Sequence, residues 1–159
     1  QYTYVSITRQ PAVRQFLAND MIPSILCIAG LTVAGIDGMF LGNLLFWFSL
    51  AMTLCLLYRL CYLRAMRYTV TAEQIIYEHG VFHRSRDYME LYRVIDFKED
   101  STLVQQIFGL KTVRIFSGDR STPRLDMTGI ASDDNLIPVI RERVTSNRRK
   151  HGIYEITNR

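Results

Sequence analysis

Between positions 21 and 58 the chain contains no Lys, Arg, His or Glu, and its one ionisable side chain there is Asp37. A core helix of a soluble domain does not need so long a stretch without charge, whereas two helices crossing a bilayer do, which argues against a wholly soluble fold. Cysteine is scarce and sits where it cannot build a framework. Cys27, Cys55 and Cys61 all lie within or beside the apolar stretch, so the polar remainder has neither a disulfide scaffold nor a cysteine metal site. A large excess of one sign of charge is also missing. With 19 basic against 15 acidic residues the formal charge is +4. The two signs mix along most of the polar part, unlike a nucleic-acid binder whose bases gather on one surface. About 90 of the 159 residues follow the apolar region, enough for one small domain and too few for a large catalytic barrel.

What is there begins with a hairpin. At about 1.5 Å per residue, roughly twenty residues cross about 30 Å of hydrocarbon. Residues 39–58 reach that length alone, and the first apolar run reaches it when Phe16, Leu17 and Ala18 extend it. Pro23 is expected in the first helical turn, where amides have no internal acceptor. Asp37 and Gly38 then supply the reversal, giving a transmembrane helical hairpin over residues 16–64. Arg9 and Arg14 precede it and Arg59, Arg64 and Arg67 follow it. The positive-inside bias therefore places both ends in the cytoplasm and Asp37 outside. Gln1 is read as following residues not included, since a cleaved leader would put the amino end outside against all five arginines. Tyr58 and Tyr62 are placed to anchor the inner interface. Gly30-x-x-x-Ala34 and Gly38-x-x-x-Gly42 permit close helix approach, first within the hairpin and second in an oligomer. The cysteines read as small apolar fillers, with Cys61 a minor acylation candidate.

After Arg67 the periodicity changes to that of strands. Residues 68–71 and 74–79 form two, Gly80 marks a reversal, and residues 81–85 form a third, with Val81 and Phe82 among its apolar residues. Residues 86–98 make another strand-like stretch, with Met89, Leu91, Val94, Ile95 and Phe97 available to a core and a turn within residues 90–93. A short helix follows, capped by Asp100 or Ser101, with Leu103, Val104, Ile107 and Phe108 on its apolar face and Gly109 as its stop. Residues 112–117 and 124–128 return to strand, and a last helix starts near Asp133 and Asp134 with Leu136, Ile137, Ile140 and Val144 on one face. The fold class is α+β: a transmembrane hairpin, then a bent antiparallel sheet closed by a carboxy-terminal helix. In domain terms this is an N-terminal cytoplasmic segment (1–15), the hairpin (16–64), a sheet domain (67–147) and a basic tail (148–159).

The run from Tyr68-Thr-Val-Thr71 through Ile75-Ile-Tyr-Glu-His-Gly-Val-Phe82 and Tyr92-Arg-Val-Ile-Asp96 to Ser101-Thr-Leu-Val-Gln-Gln-Ile-Phe-Gly109 resembles the bacterial pleckstrin-homology domains that follow paired membrane helices. The likeness runs over residues 68–144, and the preceding hairpin is similar to that family's arrangement. It implies a seven-strand barrel-like sheet capped by a helix, where the residues alone give five or six strands. It implies no chemistry.

Two basic groups are the candidate contacts. His83, Arg84 and Arg86 belong to the first hairpin, where they read either as a solvated strand end or as an anion patch meeting lipid phosphates or acidic partner residues. Arg141, Arg143, Arg148, Arg149 and Lys150, opposed locally by Glu142, read either as a solvated helix end or as a membrane or partner surface. The tail 153–156 has a strand-like pattern. Enzyme readings fail: His79 and His83 have a metal-pair spacing but are split by a turn, His151 is isolated, and Gly109, Gly118 and Gly129 do not make a phosphate loop. No catalytic residue, cofactor or metal is expected. The reading is a non-enzymatic scaffold or interaction subunit at the bacterial inner membrane, with the lipid bilayer and a membrane protein or second copy as partners and no nucleic acid. The alternative is an anionic-lipid-binding or lipid-sensing module.

Overall fold

The computed structural model describes residues 4–36 and 41–152. In chain order its elements are β1 (Ile7–Arg9), α1 (Arg14–Ala34), α2 (Gly42–Ala65), β2 (Arg67–Val70), β3 (Gln74–His79), β4 (Ser85–Glu90), a 3-10 turn (Leu91–Arg93), β5 (Val94–Asp100), α3 (Leu103–Ile107), β6 (Leu110–Ser117), β7 (Arg124–Ala131) and α4 (Leu136–Lys150). The strands form two antiparallel sheets, ordered β1-β2-β3-β4 and β5-β6-β7. Strand alternation sends Tyr68, Val70, Ile75 and Met89 inward from the first sheet and Val113, Ile115, Leu125 and Met127 inward from the second. Leu136, Ile140 and Val144 of α4 close that core on one helical face.

The seven strands among the described residues include one that precedes the helices. Ile7, Thr8 and Arg9 pair with Val70, Thr69 and Tyr68, so these residues ahead of the hairpin belong to the sheet, and the hairpin is inserted between two adjacent strands of it. Three residues with one half-buried aliphatic among them carry too little alternation to be recognised as a strand. The expected third strand at residues 81–85 is also displaced. Residues 81–84 are a loop, Phe82 stands 91% exposed, and the strand pairing with β3 starts at Ser85. The stretch at 86–98 divides at its suspected turn into β4 and β5, and Ile95 points outward.

α1 and α2 are long and apolar enough to cross a membrane by length and composition. Leu26, Leu44, Trp47 and Phe48 point away from the protein, while Cys27, Ser49 and Leu56 are buried. Gly30 sits where the helices approach: a Cβ there would lie 2.2 Å from the Ser49 hydroxyl oxygen. Cys55 and Cys61 are exposed rather than packed. α1 starts at Arg14, so Pro23 lies in its interior instead of its first turn, and the helix breaks three residues earlier at Asp20 (φ −121°, ψ 20°). Proline lacks the amide for that turn and its ring displaces the preceding carbonyls. In α3 the cap is Thr102, in a reciprocal box with Gln105 (3.2 and 3.1 Å). Gln105 faces inward and Leu103 and Ile107 face outward, the reverse of the expected apolar face. The Asp37 turn, the Gly38 motif and the 153–156 pattern lie outside the described residues.

Candidate functional site

Both feet of the hairpin are fastened to the sheets. Ahead of α1, the Ala12 amide donates to Gly129 O (3.0 Å). Gly129 adopts φ 73°, and a Cβ on it would meet Gln15 Cβ at 3.0 Å and Pro11 Cβ at 3.1 Å, so β7 admits the incoming chain only because that position is bare. Arg14 donates to Phe108 O (2.8 Å). The buried Gln105 amide donates to Gln15 Oε1 (2.9 Å) and Thr112 Oγ1 (3.0 Å), while Gln15 Nε2 donates to Asn19 Oδ1 (2.9 Å). This ladder joins α1 to α3 and β6.

The foot of α2 is held by aromatic groups. Tyr62 Oη lies 3.1 Å from His79 Nδ1, and His79 Nε2 lies 3.1 Å from Asp87 Oδ2. The His79 ring stacks on Tyr77 (4.6 Å between centroids), which stacks on Tyr68 (5.1 Å). Burial pushes the Tyr68 phenol up to about 12, although the Thr128 amide donates to its oxygen (3.2 Å) and works the other way. Burial raises Tyr77 as well, helped by the neighbouring Tyr68 and Tyr62. Between the helices Asp20, 3% exposed, pairs with Arg59. Arg9 pairs with Asp134 (2.6 Å), and that hydrogen bond raises the guanidinium further above its already high value.

Of the five arginines flanking the hairpin, Arg9, Arg14 and Arg59 are thus engaged within the protein. Arg64 and Arg67 are exposed and have no ion pair or hydrogen bond among the described residues. Arg64 lies in the last turn of α2 and Arg67 opens β2, with extended Met66 between them (φ −68°, ψ 136°). They line a cleft of about 570 Å3 together with Glu78, His79, Arg84 and Arg86. Register puts Arg67 opposite Glu78 and Glu78 opposite Arg86, and Arg86 pairs with Glu78 at 3.3 Å. Arg84, on the β3–β4 loop, is exposed and likewise unpartnered among the described residues. Among the described residues that line the cleft, four guanidinium groups therefore face one carboxylate.

The loop that carries Arg84 folds back sharply. Gly80 has φ 102°, and a Cβ there would fall 1.9 Å from His83 O. The turn lifts Phe82 onto Tyr58 of α2, with rings 5.9 Å apart and 9° from parallel. A second cavity, of about 370 Å3, lies between the helices and the sheet and includes Asp20, Tyr58, Arg59, Tyr62 and Thr128.

Of the first predicted group, Arg84 and Arg86 enter the cleft and His83 does not. Arg64 and Arg67, read from sequence only as topology markers, join them. The signal was present, yet nothing in the spacing shows that a β3–β4 loop returns to the end of α2. The second group does not form one surface. Arg143, 4% exposed, donates to Val5 O (2.7 Å), Val70 O (2.8 Å) and Thr71 O (3.0 Å). Arg148 donates to Val94 O (2.5 Å) and Arg141 lies over the Phe97 ring at 5.7 Å. Arg149 and Lys150 are exposed in the last turn of α4, which runs through residues assigned to the tail. His151, expected to be isolated, stacks on Tyr92 at 4.3 Å. His79 uses both ring nitrogens within the protein, and among the described residues no group of three His, Cys, Asp or Glu side chains is placed to hold a metal ion.

A family model described as Bacterial PH domain matches residues 22–144, a span that runs from within α1 through α2 and β2–β7 into α4 and leaves out β1. No curated protein and no solved structure matches the chain.

Proposed function

The chain belongs to the bacterial PH domain family, and on that premise we propose that it is a membrane-tethered, non-catalytic interaction or scaffold subunit. The observation that carries this reading is the insertion of the hairpin between β1 and β2. A domain hung from one flexible linker samples many orientations. One entered through β1 and left through β2, bonded to α1 through Gln105 and Gln15 and to the segment just ahead of α1 through Gly129 and Ala12, has its attitude set by the helices. With the hairpin in the inner membrane, the sheets stand at the cytoplasmic face in a fixed orientation, which raises their effective concentration toward a neighbouring membrane protein or second copy. Tyr88, Ile95 and Ile107 are among the exposed apolar side chains of the sheet domain suited to such contacts.

The test is photo-crosslinking in native membranes, with a photoreactive residue placed in turn at Tyr88, Ile95 and Ile107 of the full chain. A discrete protein adduct, including a dimer of the chain, is expected from at least one position. Lipid adducts or none at all three would overturn the interaction reading. A second reading, an anionic-lipid-binding module, is favoured by the arginines, unpartnered among the described residues, that gather in one cleft at the foot of α2.

A further inference from the structure

The geometry points to the cleft between α2 and the β3–β4 loop as a binding site for the phosphate of an anionic phospholipid, read by Arg64, Arg67 and Arg84, with Phe82 as the apolar anchor beside it. The inference rests on the lipid-binding reading and gives it a place and a chemistry. Arginine presents planar, fork-like donors that match phosphate oxygens, and it stays charged under all ordinary conditions. Three such groups left without a partner among the described residues, while Arg9, Arg14, Arg59 and Arg86 each have one, leave cationic donors directed at a common space. Glu78 is occupied by Arg86, so the carboxylate that could neutralise the cleft is already engaged.

Position selects the source of the phosphate. Arg64 sits one residue before the end of the second long apolar helix. The Gly80 turn lifts the 91% exposed Phe82 up that helix as far as Tyr58, one further turn and more from its foot. An aromatic pair at this height lies where tyrosine and similar rings prefer the headgroup level, and the guanidinium groups below it lie at the depth of lipid phosphates. A cleft of about 570 Å3 is within the size range of small-molecule sites. A free phosphate ion would satisfy the arginines but would leave Phe82 uncovered.

The experiment uses the full chain in a neutral detergent and native mass spectrometry, titrating phosphatidylglycerol, phosphatidylcholine and inorganic phosphate separately. Phosphatidylglycerol is expected to bind more tightly than phosphatidylcholine, which lacks net charge, and than free phosphate. Each arginine changed to glutamine should weaken phosphatidylglycerol binding about fivefold, and Arg64→Gln with Arg84→Gln about 25-fold. Arg149→Gln with Lys150→Gln, at the far end of α4, should leave it within twofold. Phe82→Ser should weaken binding to vesicles of phosphatidylcholine with 30 mol% phosphatidylglycerol without altering the phosphate response. Equal phosphatidylglycerol binding by the cleft variants and the unchanged chain would overturn the site. Phosphate binding as tight as lipid binding would overturn the lipid assignment. Selective phosphatidylglycerol binding reduced only by the α4 variant would uphold the wider reading while removing this cleft. Arg84→Gln alone, on an exposed loop, keeps the test open if the double variant does not fold.

Discussion

Arg143 lies among the core residues of α4 and donates to carbonyls of β2, of the turn after it and of the segment leading into β1. Its position in a run of basic residues suggested a surface, but a buried guanidinium with three carbonyl acceptors is a structural bolt, and no sequence pattern distinguishes the two. Tyr68 shows the same dependence on surroundings. Its phenol is fully buried and its ionisation is pushed from 10.0 to about 12, chiefly by desolvation. The fold therefore favours the neutral form. Below the unfolded value both states hold the proton and the contribution is fully present. Above it the unfolded chain ionises while the folded one does not, so that stability is lost as pH rises through the window from 10 to about 12. Thermal melts of the detergent-solubilised chain should be flat to about pH 9 and fall across that window. Tyr68→Phe should make the fall shallower, with Tyr77 supplying the rest. An unchanged slope in the variant would show that Tyr68 titrates freely in the folded protein.

At the scale of elements, the hairpin is set by one kink and one close approach. The break at Asp20 follows from Pro23, and it leaves the Asp20 carbonyl to accept from Ser24 Oγ (2.7 Å) while the carboxylate meets Arg59. Higher in the hairpin, Gly30 and Ser49 permit contact. Gly30→Ala should destabilise the helix pair by about 1–3 kcal/mol, because the new methyl collides with the Ser49 hydroxyl at 2.2 Å. Adding Ser49→Ala should restore most of that loss, since the next atom, Ser49 Cβ, lies at 3.4 Å. Melting of the three variants in one detergent gives the cycle. Strict additivity would mean that the two positions do not touch. α3 shows how a pattern misleads in a short element. Its apolar residues look like a core face, yet the reciprocal cap with Thr102 and the ladder to Gln15 and Thr112 turn Gln105 inward, leaving Leu103 and Ile107 outside.

For the molecule as a whole, threading the hairpin through a sheet makes orientation a single decision: both feet lie at the sheets, so a bilayer crossed by the hairpin would leave all of the described strands on one side. Replacing the three native cysteines with alanine and adding one cysteine at position 8, 37 or 150 tests it. A membrane-impermeant maleimide applied to intact spheroplasts is expected to label position 37 alone, with positions 8 and 150 labelled only after permeabilisation. The opposite pattern would reverse the proposed topology. The sheets were largely legible, since β2, β3, β6, β7 and α4 each carry enough alternation or helical period to stand alone.

What the sequence by itself determined was the chain's division into an apolar hairpin and a small antiparallel domain, and the family resemblance that accompanies it. Those features are local, being written in runs of charge, turn residues and periodicity that require no knowledge of distant neighbours. The tertiary structure alone decided that Ile7–Arg9 is a strand, because its stabilising partner, β2, lies beyond the whole hairpin. It alone also sorted the arginines. Arg9, Arg59 and Arg143 acquired partners distant in sequence, while Arg64, Arg67 and Arg84 came together without one among the described residues. A cation's availability depends on which acceptors folding brings within hydrogen-bond reach, and that is a property of long-range packing rather than of residue type.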